Sequence, residues 1–286
     1  VTGYGWTGPY AHRPGMDPVA TAWMGLQLAQ GGKAARPVFL GQLAVSDFAA
    51  GAMGTLGTLM ALFVRERTGE SQRVNTNLLS GGIILSSEDF LRYDGKLPRR
   101  VADEDLYGLG ALYRLYESRD GWIYVTAESE DDWQALCGGL GRDDLPQDTR
   151  FASAAARRRN DAELADELAS LFETASSEHW LEQLGEAGVA CAPVTEGSDW
   201  FFDDPDAADN DLIAEQQHSV IGWVKLSHNG IKFADTANVY PITTPLLGEH
   251  MRETLAELGY AESQIEELYV KGIVKTEKPS EVRVEA

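Results

Sequence analysis

The longest uncharged segment of the chain runs from Phe48 to Val64 and constrains the fold more than any other feature. Its seventeen residues are apolar all round a helix, which predicts that this helix is buried. A membrane span is the alternative, but seventeen residues lie at the lower limit for crossing a bilayer. Gly51, Gly54 and Gly57 weaken the membrane alternative further, because glycine has a low helix propensity. The segment therefore predicts a buried helix with a demanding packing arrangement.

Asp47 stands directly before this segment and is open to two interpretations. In the ordinary one its carboxylate caps the helix by accepting hydrogen bonds from the first free N–H groups. In the other, the same helix end holds an ionised, partly desolvated carboxylate that acts as a nucleophile. Taken alone, the local sequence favours the cap.

Short apolar runs alternate with helical patterns from residue 1 to about residue 95, which predicts a parallel, helix-covered sheet and an α/β fold. A polar linker follows, and then a β-hairpin around Arg119, Asp120 and Gly121, with several amphipathic helices after it. A second hairpin is predicted to turn at Asn229 and Gly230. The pattern predicts a large-domain portion at 1–110, a small α+β domain at 111–198 and a return segment with C-terminal helices at 199–286.

Charge and cysteine content limit the kinds of partner and metal site that this chain is expected to have. The chain carries 24 Lys and Arg against 45 Asp and Glu, a net charge of −21, which argues against nucleic-acid or membrane-surface partners. Cys137 and Cys191 have no further ligand at metal spacing and are predicted to be reduced core thiols. The opening "VTGYGWTGPY" has neither a basic leader nor an apolar signal core. We therefore expect a cytoplasmic protein without a metal site.

Common catalytic motifs are weak or missing. The segment Gly3–Gly8 matches G-x-G-x-x-G, but Pro9 and a polar loop follow where a dinucleotide site needs a helix. There is no G-x-S-x-G segment and no Walker-type loop. The first segment is better interpreted as a glycine-lined loop at the carboxyl end of a strand, where α/β proteins bind ligands.

Five segments together resemble the family III CoA-transferases, the carnitine- and formyl-CoA transferase type that includes the α-methylacyl-CoA racemases. They are "TGYGWTGPYAHRPGMDPVATAWMGL", "SDFAAGAMGTLGTLMALFVRERTGESQRV", "GLGALYRLYESRDGWIYVTA", "VACAPV" and "TPLLGEH", in that order. The resemblance extends from Val1 to about Val274. It implies the C-terminal portion of a Rossmann-like parallel-sheet large domain plus a small α+β domain.

The resemblance also implies a mechanism. Asp47 matches the family's nucleophilic aspartate, which accepts the acyl group of an acyl-CoA as a mixed anhydride and then the CoA as a thioester. A carboxylic acid is the acceptor, and no cofactor is bound permanently. Tyr4 and the segment Gly15, Met16 and Asp17 match the acyl-CoA contact region. Gly108 to Gly110 matches a mobile glycine loop over the active site.

Two departures from the family pattern bear on function. Met16 stands where the racemases have a histidine, and the family's glutamate falls ambiguously between Glu128 and Glu130, so a transferase is favoured over a racemase or epimerase. The family's N-terminal third, with most of its CoA nucleotide contacts, has no match, and Arg13 and Arg36 are the nearby basic candidates. The chain is therefore expected to be a fragment, a processed product or one subunit whose partner chain supplies that third, in an interlocked homodimer or a heteromer. A non-catalytic subunit of a split CoA-transferase is the remaining alternative.

Overall fold

The computed structural model describes residues 1–40, 43–227, 230–236 and 244–277. Contacts divide the chain into two compact units, Val1–Val194 and Thr195–Ala286. The mixed α/β character predicted from sequence is confirmed, since helices and antiparallel strands are both present. The three-part division at residues 110 and 198 and the Rossmann-like sheet stay predictions.

The first unit begins with helices. They are α1 (Asp17–Trp23), α2 (Leu26–Ala29), α3 (Val45–Thr68), α4 (Leu78–Leu85) and a 3-10 turn at Ser87–Phe90. Among the described residues, the predicted parallel pairing here is limited to two isolated bridges, Thr2 with Asn77 and Gly31 with Ala102. The N–H groups of Leu78 and Leu79 donate to the carbonyls of Thr2 and Gly3, so the opening segment meets the start of α4.

A four-stranded antiparallel sheet and the helices between its last two strands form the rest of the first unit. Its strands β1 (Gly108–Gly110), β2 (Tyr113–Ser118), β3 (Gly121–Thr126) and β4 (Ala190–Pro193) lie in sequence order. Ser118 pairs with Gly121 across the turn, which confirms the predicted hairpin. Between β3 and β4 the chain forms α5 (Glu130–Gly139), a 3-10 turn (Leu145–Gln147), α6 (Ala154–Arg159), α7 (Asp161–Phe172) and α8 (Ser177–Glu186).

The main hydrophobic core lies between this sheet and its helices. Its largest fully buried side chains are those of Tyr116, Ile123, Trp133, Leu136, Leu145, Phe151, Leu164, Leu168, Phe172 and Leu184. Both cysteines, which were predicted to be core thiols, lie in this region: Cys137 is buried in this core and Cys191 packs partly against it. A second, much smaller cluster joins α1, α3 and α4 through Ala20, Ala50 and Leu78.

The second unit contains α9 (Trp200–Asp203), α10 (Pro205–Asp209), the hairpin β5 (Ile213–His218) with β6 (Gly222–Ser227), α11 (Met251–Glu257) and α12 (Glu262–Val270). The hairpin pairs His218 with Gly222 and so turns upstream of the predicted position. The predicted turn residue Asn229 lies outside the described residues.

The prediction that the apolar helix is buried is wrong for α3. Within it, only Ser46 and Ala50 are buried, whereas Phe48 is 79% exposed and Met60 61% exposed. Among the described elements of its unit, α3 packs chiefly on α1 and α4, and these cover one side only. By length and composition α3 could cross a membrane. A core helix passes the same test, and the absence of a membrane partner stays a prediction.

The crossing of α3 and α4 depends on a glycine. A Cβ atom added to Gly81 would lie 2.7 Å from the amide nitrogen of Ala50 and 3.0 Å from the carbonyl oxygen of Ser46. Both contacts are with backbone, so α4 would have to move away from α3 to admit a methyl group.

We expect Gly81→Ala to lower the free energy of unfolding by about 1–3 kcal/mol, the usual cost of overpacking. The same substitution at Gly51 on α3 is a matched control, because a Cβ atom there meets nothing within 4 Å. Gly51→Ala should raise the stability by up to about 1 kcal/mol through helix propensity. Urea denaturation of the two variants measures both changes, and equal stability of the two would contradict the close crossing.

Candidate functional site

A carboxylate from α1 holds the N-terminus of α3. Oδ2 of Asp17 accepts hydrogen bonds from the backbone N–H of Ser46 at 2.7 Å, from Oγ of Ser46 at 2.6 Å and from the backbone N–H of Asp47 at 3.2 Å. Asp17 is only 6% exposed and Ser46 is fully buried. The first free N–H groups of α3 are therefore satisfied by a residue about thirty positions earlier in the chain.

The interpretation of Asp47 as the helix cap is wrong. The helix begins at Val45, and its N-cap position is Ala44, whose side chain forms no capping hydrogen bond. Asp47 is the third residue of the helix and is exposed. Within the described parts of the chain, its carboxylate accepts no hydrogen bond, so it is available to a ligand.

Several residues predicted to contact acyl-CoA lie together beside this helix end. A Cβ atom on Gly15 would be 2.6 Å from Cα of Gly3 and 3.6 Å from Cε2 of Tyr4, so the opening loop and the segment before α1 touch. Met16 occupies the N-cap position of α1 and is 66% exposed. Asp17 follows it and joins this group to Asp47 through the hydrogen bonds above.

The basic side chain of Arg13 lies next to this group. The Arg13 guanidinium stands 4.4 Å from the ring centroid of Tyr10, whose ring in turn packs edge-on against Tyr4 at 6.3 Å. Arg13 is exposed, and so is Arg36. Arg13 is thus a cation at the edge of the loop that carries Tyr4.

Gly108 and Gly110 lie in the sheet, in strand β1, where a loop was predicted. A Cβ atom on Gly108 would meet the backbone of Tyr113 and Arg114, and one on Gly110 would lie 2.9 Å from Oδ1 of Asp161. Both positions therefore require a small residue for packing against β2 and α7. The contacts described for them are all within this part of the unit, and none joins them to Asp47.

Gly110 also lines a cavity of about 520 Å³, which has charged walls. Arg100 pairs with Glu128 at 2.5 Å on its rim. Arg157, 3% exposed, pairs with Glu130 at 2.6 Å, and this hydrogen bond holds the pKa of Glu130 below its usual range. The two glutamates at the position of the family's glutamate are thus both engaged by arginines.

The cysteines do not offer a nucleophile. Burial raises the pKa of the Cys137 thiol to about 12 and also raises the pKa of Cys191, which disfavours the reactive thiolate. Across residues 1–40, 43–227, 230–236 and 244–277, no group of three His, Cys, Asp or Glu side chains could hold a metal ion.

Sequence reasoning missed Ser46 and misplaced the capping role. The carboxylate that caps α3 precedes it by a helix and two loops, so no local capping pattern could reveal the contact. The adjacent pair Ser46 and Asp47 at the start of an apolar run was the available clue. It was assigned to the wrong carboxylate.

Comparison with known proteins agrees with the family resemblance of the sequence. The family model described as CoA-transferase family III matches residues 1–251. The chain is 27% identical to mouse succinyl-CoA:glutarate CoA-transferase, with 96% of this chain and 63% of the mouse protein covered. It is also 27% identical to the succinyl-CoA–L-malate CoA-transferase beta subunit of Chloroflexus aurantiacus, with 96% and 68% covered.

A solved structure resembles the fold. A CAIB/BAIF family protein from Brucella suis superposes with a TM-score of 0.75 at 28% identity, covering 90% of this chain and 66% of that one. The chain thus spans somewhat less than two thirds of the mouse relative and about two thirds of the Brucella protein.

Proposed function

The chain belongs to CoA-transferase family III, and on that premise we propose that it moves CoA from an acyl-CoA thioester to a carboxylic acid through a covalent intermediate on Asp47. The observation that carries the proposal is the state of Asp47. Its carboxylate is exposed at the start of α3, and another residue, Asp17, performs the capping that would otherwise engage it.

The proposed reaction balances in four steps. A carboxylate oxygen of Asp47 attacks the thioester carbonyl, and the C–S bond breaks to give a mixed anhydride and CoA thiolate. The thiolate attacks the aspartyl carbonyl, releasing the donor acid and leaving an aspartyl-CoA thioester. In the third step the acceptor carboxylate attacks the carbonyl of this aspartyl thioester, and the C–S bond breaks to give a second mixed anhydride and CoA thiolate. In the fourth step the thiolate attacks the acceptor carbonyl of that anhydride, which forms the new acyl-CoA and releases the Asp47 carboxylate.

The substrates we propose are an acyl-CoA donor and a short dicarboxylic acid as acceptor. Support comes from the names of the two relatives, which combine succinyl-CoA with glutarate or with L-malate. Arg13, beside Tyr10 and Tyr4, is a candidate for receiving an anionic group of either substrate.

Transfer fits the site better than racemisation. A racemase needs two groups that exchange a proton with the α-carbon, and the thioether of Met16 cannot do this. Glu128 and Glu130 are held in ion pairs with Arg100 and Arg157. A transferase needs only the one nucleophilic carboxylate that the start of α3 presents.

We further propose that the active protein is cytoplasmic and is completed by a partner chain or a second copy of itself. The exposed apolar side chains of α3, among them Phe48, Met60 and Phe63, support an additional covering surface. The role of Gly108 and Gly110 as a loop over the site also stays a proposal.

Trapping with hydroxylamine tests the proposed function. The purified protein is incubated with succinyl-CoA or another acyl-CoA, with and without hydroxylamine, and its peptides are mapped by mass spectrometry. A mixed anhydride or aspartyl thioester reacts with hydroxylamine, so we expect one hydroxamate, at Asp47, that depends on acyl-CoA. A hydroxamate at another carboxylate, or none with any acyl-CoA that the protein turns over, would refute the covalent role of Asp47.

A further inference from the structure

We infer that Asp17 is a positioning residue for Asp47 and does not itself contact acyl-CoA. The inference rests on the proposed function and deepens it. A single oxygen of Asp17 accepts three hydrogen bonds, two from Ser46 and one from the backbone N–H of Asp47. At 6% exposure, Asp17 has little surface left for a substrate.

Asp17 is itself held firmly. It is the first residue of α1, and its backbone carbonyl accepts a hydrogen bond from Oγ1 of the fully buried Thr21 at 3.1 Å. Ala20, one residue before Thr21, packs with Ala50 of α3 in the small cluster between these helices. A carboxylate fixed in this way fixes in turn the backbone atoms from which the Asp47 side chain extends.

The hydrogen bonds also leave the Asp47 carboxylate free. Free N–H groups at a helix start attract anions, and an acidic side chain at the third helical position commonly turns back to satisfy them. Here Asp17 already occupies the N–H groups of Ser46 and Asp47. Asp17 thus removes these two N–H groups as partners for Asp47, whose carboxylate accepts no hydrogen bond from the described residues.

The alternative is that Asp17 merely stabilises α3, and the chain contains a matched case of that role. Oδ1 of Asp120 accepts a hydrogen bond from the backbone N–H of Ser177, the first residue of α8, at 2.7 Å. This bond lowers the pKa of Asp120. A carboxylate from a distant segment thus caps α8 as well, but α8 carries no proposed catalytic residue.

The experiment compares Asp17→Ala and Asp17→Asn with Asp120→Ala and the parent protein. Two quantities are measured: the rate of hydroxamate formation at Asp47 as a function of succinyl-CoA concentration, and amide hydrogen exchange at residues 44–48. Asparagine keeps an acceptor oxygen for the backbone N–H groups, so Asp17→Asn is the conservative variant.

We expect Asp17→Ala to slow labelling at saturating succinyl-CoA by about 100-fold, the effect of a misplaced reacting group. The half-saturating concentration should be unchanged, because no substrate contact is lost. Asp17→Asn should recover most of the rate, and Asp120→Ala should label at the parent rate. Faster exchange of the Ser46 and Asp47 amides should accompany the loss in Asp17→Ala.

Other outcomes overturn the inference in distinguishable ways. Labelling at the parent rate in Asp17→Ala, with faster amide exchange, would make Asp17 only a structural cap. A raised half-saturating concentration with an unchanged maximal rate would make Asp17 a substrate contact. A parent protein that is not labelled at all would refute the proposed function and the inference together. If Asp17→Ala does not fold, Ser46→Ala is the second variant, because it removes only the Oγ donor. It should slow labelling measurably but by less than about tenfold. Labelling of Ser46→Ala at the parent rate would overturn the inference.

Discussion

Replacing Asp47 with asparagine is expected to abolish CoA transfer and leave the free energy of unfolding within about 0.5 kcal/mol of the parent value. An amide cannot form the anhydride or the thioester, so kcat/KM should fall by about 10⁴-fold or more, as for the loss of other covalent nucleophiles. Stability should hold because Asp47 is exposed and because Asp17, not Asp47, caps the helix.

The measurement is steady-state transfer from succinyl-CoA to a dicarboxylic acid, paired with urea denaturation of the same preparations. Asp131→Asn is a matched control, since Asp131 is also an exposed aspartate in the first turn of a helix, α5. It should retain full activity. Transfer at the parent rate by Asp47→Asn would eliminate covalent catalysis by this residue. A large loss of stability would instead indicate a structural role for it.

What the sequence predicted well was local. The hairpin of β2 and β3 was predicted because its turn and its alternating strands lie within fourteen residues of each other. The helices that bury one face against the sheet, such as α7 and α8, were predicted from their apolar spacing. In each case the information that determines the element is contained in the element and its immediate neighbours.

What the sequence did not predict depended on distant contacts. The capping of α3 by Asp17 joins residues about thirty positions apart, and no pattern around Asp47 reveals which carboxylate faces the free N–H groups. The burial of α3 was predicted from its composition alone. Composition shows that a helix can be covered, whereas burial depends on what lies against each side of it, and here α1 and α4 cover only one.

The second large effect is expected in the core of the first unit, at Phe172. This side chain is fully buried, its ring lies 4.8 Å from that of Tyr116 and 5.4 Å from that of Trp180, and its carbonyl accepts the Trp180 indole N–H at 2.7 Å. Phe172→Ala should therefore lower the free energy of unfolding by about 3–5 kcal/mol, through lost transfer energy and the cavity left behind. Urea denaturation followed by tryptophan fluorescence measures it.

Phe48→Ala is the contrasting substitution, because the same side chain there is 79% exposed. Truncating an exposed phenylalanine removes little buried surface, so in the monomeric chain the free energy of unfolding should change by no more than about 0.5 kcal/mol. A small effect at Phe172 would contradict the packing of the sheet against α7 and α8. A cost at Phe48 as large as that at Phe172 would contradict the exposure of this face of α3 and would support the partner chain or second copy proposed to cover it.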